Sequence, residues 1–122
     1  MKRLLSLYLV VALSLLSASA RTVRILAIGN SFSQDAVEQY LHELALAGGD
    51  TAIIGNMYIG GCSLERHVNN AREDKHDYAY RKIGADGVKV ERKNASLLEA
   101  LNDEPWDYIS IQHASPLSGL YE

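Results

Sequence analysis

The sequence predicts an α/β fold: a three-layer sandwich in which helices cover both faces of a parallel sheet. Three observations carry this. Apolar runs suited to buried strands fall at residues 23–28, 51–58 and 106–112. Segments with helical spacing separate them, and the connections are short, as in parallel strands joined by helical crossovers. Each run ends in a polar turn, and the first two of these turns contain glycine.

Residues 1–20 are expected to lie outside the fold. Lys2 and Arg3 precede an almost wholly apolar stretch from Leu4 to Leu16, and Ala18-Ser19-Ala20 follows as an A-x-A cleavage signature. That stretch is short for a membrane span. The pattern predicts export to the periplasm or the exterior, cleavage after Ala20, and a single domain over residues 21–122.

Val23 to Ile28 reads as the first strand, and Gly29-Asn30 as a turn into a helix capped by Ser31 or Ser33. Val37, Tyr40, Leu41 and Leu44 recur at i, i+3, i+4 and i+7 and mark its inner face, and Gly48-Gly49-Asp50 ends it. Thr51 to Tyr58 is the second strand, followed by the glycine turn Ile59-Gly60-Gly61-Cys62-Ser63. Leu64 to Arg72 is helical, with Leu64, His67 and Val68 on one side. Residues 73–93 are charged and irregular, a surface excursion or a small hairpin turning at Gly84 to Gly87. Ala95 to Leu101 is a short helix with Leu97, Leu98 and Leu101 facing in, and Trp106 to Gln112 is the third strand. Right-handed crossovers place the second and third strands on opposite sides of the first, in a flavodoxin-like order. The third strand is then an apolar edge, and such an edge is open to self-association.

Composition narrows the function. Ten of the twelve Lys+Arg and all fifteen Asp+Glu follow residue 20, so that part carries a charge of −5. With no basic run, nucleic acid and anionic membrane are excluded as partners once the leader is removed. Cys62 is the only cysteine, which rules out an internal disulfide, and it is expected to be buried as a small apolar residue. There is no G-x-x-x-x-G-K-[ST] loop, no H-E-x-x-H and no paired-cysteine motif, so no metal or cofactor is expected.

The three turns converge on one sheet edge. Ser31 stands at a strand-to-helix turn, as a nucleophile or as a helix-capping serine. Acyl transfer also needs donors aimed at the developing oxyanion. The Ser31 N–H, the Gly61 N–H and the Gln112 side-chain amide are the candidates, with Asn30, Gly60 and His113 lining the pocket. Of the four histidines, His42 is expected on an exposed helix face, His67 on the surface or in packing, and His76 in solvent. His113 reaches the correct edge, to line the pocket or to stand in as a base.

Gly29-Asn30-Ser31-Phe32 resembles the Gly-Asp-Ser-Leu block of the SGNH (GDSL-like) hydrolase superfamily, and Asn56-Met57-Tyr58-Ile59-Gly60-Gly61 resembles its second block. The Gly-Asn-Ser-Phe start, with Trp106-Asp107-Tyr108 leading to Gln112, is most similar to a bacterial group of SGNH-like domains, the DUF4886 type. The resemblance spans residues 23–118. It implies an SGNH-like fold with Ser31 as nucleophile and oxyanion donor and Gly61 as second donor. The third donor falls at Gln112 or His113, since the usual Gly-x-Asn-Asp is absent. Asn30 stands where the superfamily has Asp, a position taken as structural. The resemblance further implies a serine ester hydrolase working through an acyl-enzyme on small-molecule or carbohydrate esters. The superfamily's base comes from a late Asp-x-x-His, and no Asp in this sequence has His three positions on. The expectation is therefore a fold truncated after its third strand, inactive or very slow alone. A non-catalytic ligand-binding or remnant domain is the competing reading.

Overall fold

The computed structural model describes residues 19–117. The expected leader lies almost entirely outside the described residues, as do residues 118–122. Among the described residues no helix is long and apolar enough to cross a membrane.

Strand β1 (Thr22–Gly29) leads into helices α1 (Ser31–Glu38) and α2 (Leu41–Ala47), then β2 (Thr51–Tyr58) and α3 (Leu64–Arg72). An antiparallel hairpin follows, β3 (Tyr78–Ile83) and β4 (Lys89–Ala95), then α4 (Leu97–Asp103) and β5 (Tyr108–Ile111). The five strands form one sheet in the order β4-β3-β2-β1-β5. β1 is parallel to both neighbours, with Ile28 opposite Met57 on one side and Ile111 on the other. The expected placement of the second and third strands about the first is therefore observed.

The sheet is mixed rather than parallel throughout. Residues 78–95 are the small hairpin, but they do not wander over the surface. β3 pairs antiparallel to β2, with Ile54 opposite Ile83 and Tyr58 opposite Ala79. The reason lies in alternation hidden among the charges. Tyr78 and Tyr80 alternate into one core, and Ile83, an odd number of residues on, enters the other, while the half-buried Arg81 and Lys82 lie between them.

Helices on both faces give two cores. One gathers Leu26, Ile28, Met57, Tyr80, Leu97 and Ala100, with Trp106 packed against it. The other joins Ala52, Ile54 and Ile83 to Val37, Leu41 and Ala45. The second core corrects the expected helix face. The helix breaks at Gln39-Tyr40, which rephases it, so Tyr40 and Leu44 are exposed and Val37, Leu41 and Ala45 point in. His42, expected in solvent, is buried, with Nδ1 2.8 Å from the Ala52 carbonyl. In α4 only Leu97 of the three expected leucines is buried, because the helix is a single short run that turns Leu98 and Leu101 outward.

The two sheet margins differ. β4 presents Lys89, Glu91, Arg92 and Lys93 to solvent. All four residues of β5 are exposed, and none is charged. Upstream of β5, Asp107 anchors the strand to β1: its N–H donates to the Arg24 carbonyl, and its Oδ2 accepts from the Arg24 N–H.

A charge cluster links β3 to the end of α4. Lys82 Nζ donates to Asp103 at 2.8 Å and to Glu104 at 2.7 Å. The Lys82 hydrogen bond holds Glu104 below its usual 4.5 despite some burial. At Asp103, burial is outweighed by hydrogen bonds from Lys82 and Tyr80, so its carboxyl also falls below the usual 3.8. Groups with depressed folded-state pKa stabilise the fold above their unfolded values and lose that contribution as pH falls through the folded ones. Lys82→Met is expected to lower the urea midpoint near pH 7, by an amount that shrinks as pH falls through the folded-state values of the two carboxyls.

Candidate active site

The site begins with a close approach at the end of β1. A Cβ on Gly29 would lie 2.6 Å from Ser33 Oγ and 3.2 Å from Gln112 Cβ, so only glycine lets the first turn of α1 and the third turn meet there. Asn30 then caps α1, and neither serine does: Asn30 Oδ1 accepts from the Phe32 N–H at 3.1 Å. Ser33 is buried and donates to the Asn30 carbonyl at 2.8 Å and to Asn56 Oδ1 at 3.1 Å. Ser31 is the first residue of the helix and is exposed. Neither its hydroxyl nor its N–H is engaged by a described residue.

Asn30 brings the three turns together. Only 1% exposed, it donates through Nδ2 to the His113 carbonyl at 3.1 Å and to the Cys62 carbonyl at 3.4 Å. One side chain thus holds the second and third turns against the first. The backbone repeats the link: the Ile59 N–H donates to the Gly29 carbonyl and the Gln112 N–H to the Ile28 carbonyl. The Asn-for-Asp difference carries weight after all. An ionised Asp accepts only, and it could not donate to two carbonyls.

Gly61 sits at φ +62, a left-handed conformation that favours glycine, and nothing approaches the space a Cβ would fill. The N–H groups of Gly60 and Gly61 and the Gln112 side-chain amide have no partner among the described residues. All three candidate oxyanion donors are therefore open at one edge. Beside Gly60 a cleft of about 470 Å3 runs along the β3–β4 hairpin, lined by Tyr58, Arg81, Glu91, Lys93 and Asn94. The Arg81 guanidinium lies 4.1 Å from the centre of the Tyr58 ring.

His113 is placed at the edge, but its Nδ1 accepts from the Leu64 N–H at 3.2 Å. In the neutral ring the proton is then on Nε2, which leaves no free lone pair to take a serine proton. Among the described residues no histidine is hydrogen-bonded to Ser31. His76 is exposed, with Nδ1 3.2 Å from the Asn94 carbonyl.

Two buried polar groups stand near these turns: His67 takes the packing place expected of it, and Glu38 had no expected role. His67 is buried, with Nδ1 2.8 Å from the Tyr78 hydroxyl and 3.5 Å from Cys62 Sγ. Burial pushes the Cys62 thiol up, consistent with the expected buried, unreactive cysteine. On the opposite face Glu38, its side chain 3% exposed, accepts from Asn56 Nδ2 at 2.6 Å and pairs with Arg81 at 3.4 Å and with Lys89. The Asn56 and Ser33 side chains join this carboxylate to the base of the Ser31 turn.

None of the curated proteins matches this chain. A solved structure does: the crystal structure of a DUF4886 family protein from Bacteroides uniformis, 66% identical, with a TM-score of 0.80. The match covers 82% of this chain and 39% of that one, so the chain spans about two fifths of that relative's length. The model of a domain of unknown function, DUF4886, matches residues 24–122. On both findings, the chain belongs to the DUF4886 family.

Proposed function

We propose that this chain carries the nucleophile and oxyanion portion of an exported serine ester hydrolase of the SGNH kind. One observation carries the reading: Asn30 clamps three turns together while leaving the Ser31 hydroxyl and three hydrogen-bond donors unengaged beside it. Ser31 attacks an acyl carbonyl, and the Ser31 N–H, the Gly61 N–H and the Gln112 amide receive the oxyanion. Water then releases the acyl group. The cleft beside Gly60, lined by charged and amide groups, suits a polar alcohol portion such as a carbohydrate. The base comes from outside the described residues.

The competing reading is a binding module, and the placement of the histidines favours it: none is hydrogen-bonded to Ser31. Hydrolysis of p-nitrophenyl acetate by the intact protein separates the two. Ser31→Ala is expected to lower kcat/KM by about 10³-fold or more, with the thermal midpoint unchanged. Equal rates for the two proteins would overturn the hydrolase reading.

A further inference from the structure

The cleft beside Gly60 owes its shape to an irregularity in the hairpin. Tyr80 pairs with Arg92 and Tyr78 with Ala95, so Lys93 and Asn94 both stand opposite the single residue Ala79. This is a β-bulge, and bulges re-aim side chains at sheet edges and beside active sites. Asn94 absorbs the extra residue at φ +56, in the left-handed region that asparagine tolerates better than most residues. The bulge is pinned from outside, where His76 Nδ1–H donates to the Asn94 carbonyl at 3.2 Å. Both bulged residues line the cleft.

Charge in the cleft is balanced except at one place. Asp77 lies 3.8 Å from Arg66, and Glu91 accepts from Arg81 at 3.0 Å. Arg81 and Lys89 together offset Glu91 and Glu38. Lys93 has no carboxylate partner among the described residues. The Arg81 guanidinium covers one face of Tyr58, so the cleft presents charge and amide groups where a bare ring would suit a neutral sugar. The sheet sets its position relative to the serine. Asn56, held by Glu38 of α1, and Tyr58, two residues on, share the α1 face. Gly29 pairs with Tyr58, Tyr58 pairs with Ala79, and Ala79 lies opposite the bulge. Lys93 thus stands three strand spacings from the Ser31 turn, about 14 Å.

We propose that the cleft is a subsite for an acidic oligosaccharide, in which Lys93 takes a carboxylate or sulfate group and Asn94 the hydroxyls beside it. An ammonium pairs with either anion as a point charge, without a fixed bidentate geometry. The Asn94 amide both donates and accepts, as hydroxyl groups require. The distance from Ser31 places the anion on a sugar beyond the one that bears the ester. The proposal deepens the hydrolase reading, and it rests on that reading only where the bound sugar is the alcohol portion of the substrate. Binding itself does not depend on Ser31.

Titration calorimetry on the intact protein tests the subsite without hydrolysis, in about 0.15 M salt to screen the overall negative charge. The probes are trigalacturonate and a sulfated carrageenan tetrasaccharide, each beside a neutral twin, the methyl-esterified trimer and the desulfated tetrasaccharide. At least one anionic probe is expected to bind about threefold or more tighter than its twin, and the one that does names the anion. Lys93→Met is expected to remove that preference. Arg92→Met, on the other face of β4 and paired with Glu99, is expected to keep it. Both residues are exposed, and both variants are expected to hold the wild-type thermal midpoint. No binding of either anionic probe, no preference over the twins, a preference that persists in Lys93→Met, or an equal loss in Arg92→Met would each overturn the subsite. An unaltered rate of ester hydrolysis in Ser31→Ala would sink the hydrolase reading alone and leave the subsite standing.

Discussion

Asn30→Ala is expected to destabilise the domain by about 3–5 kcal/mol. Loss of the helix cap accounts for about 1 kcal/mol. The larger part comes from the Cys62 and His113 carbonyls, which lose their donor in a buried place at about 1–3 kcal/mol each. In a domain of about 100 residues, that loss lowers the thermal midpoint by about 15 °C or more. Asn30→Asp is the decisive companion. It keeps the acceptor for the Phe32 N–H, and acidic groups are favoured at helix N-termini. If capping were the main role, Asp would rescue. The expected result is no rescue, because a carboxylate faces two carbonyl oxygens and donates to neither. Calorimetry on the two variants decides between them. The neighbouring Ser31→Ala, by contrast, is expected to leave stability untouched and remove activity.

The second large effect is expected at Glu38. Its carboxylate lies almost wholly out of water and is balanced by Arg81, Lys89 and the Asn56 amide. Removing one partner of a buried pair leaves the other uncompensated, at a cost of about 3–5 kcal/mol. Glu38→Ala should reach the lower part of that range, since it strands the Asn56 donor and leaves Arg81 with its pair to Glu91 alone. Replacing the ions by an apolar pair of similar size avoids the stranded charge. Glu38→Leu combined with Arg81→Met is therefore expected to recover about half of the loss, measured as urea midpoints of the single and double variants. A double variant no more stable than Glu38→Ala would show that the Asn56 bond, and not the ion pair, carries the effect.

The parallel centre of the fold was legible because its signals are local and repeated. Ile-rich runs ending in Gly29 and in Gly60-Gly61 placed β1 and β2 almost to the residue, and Trp106-Asp107-Tyr108 marked the approach to β5. The hairpin was harder to read. Tyr78 and Tyr80 alternate, but Ile83 falls on the opposite face and the charged residues between resemble a solvated loop until β2 supplies a partner. The helix stripe failed at Tyr40 for a related reason: a break of two residues resets the phase, and spacing alone does not announce it. In the site, Ser31, Gly61 and Gln112 were visible as residues with turn chemistry at strand ends. Asn30 looked like a passive substitute for Asp, because what its amide holds lies 32 and 83 residues away. Glu38 was invisible for the same reason, and His67 was legible as a packing residue but not by its partners. A buried polar side chain declares itself only through partners that the fold brings to it.

The unlike margins of the sheet give the domain a direction. A charged β4 resists a further strand, as edges bearing Lys and Glu do. β5 offers open backbone groups with Tyr108, Ile109 and Ile111 exposed beside them and no charge to turn a neighbour away. The architecture is one-ended. The open, uncharged end is β5, the strand from which the Gln112 turn emerges.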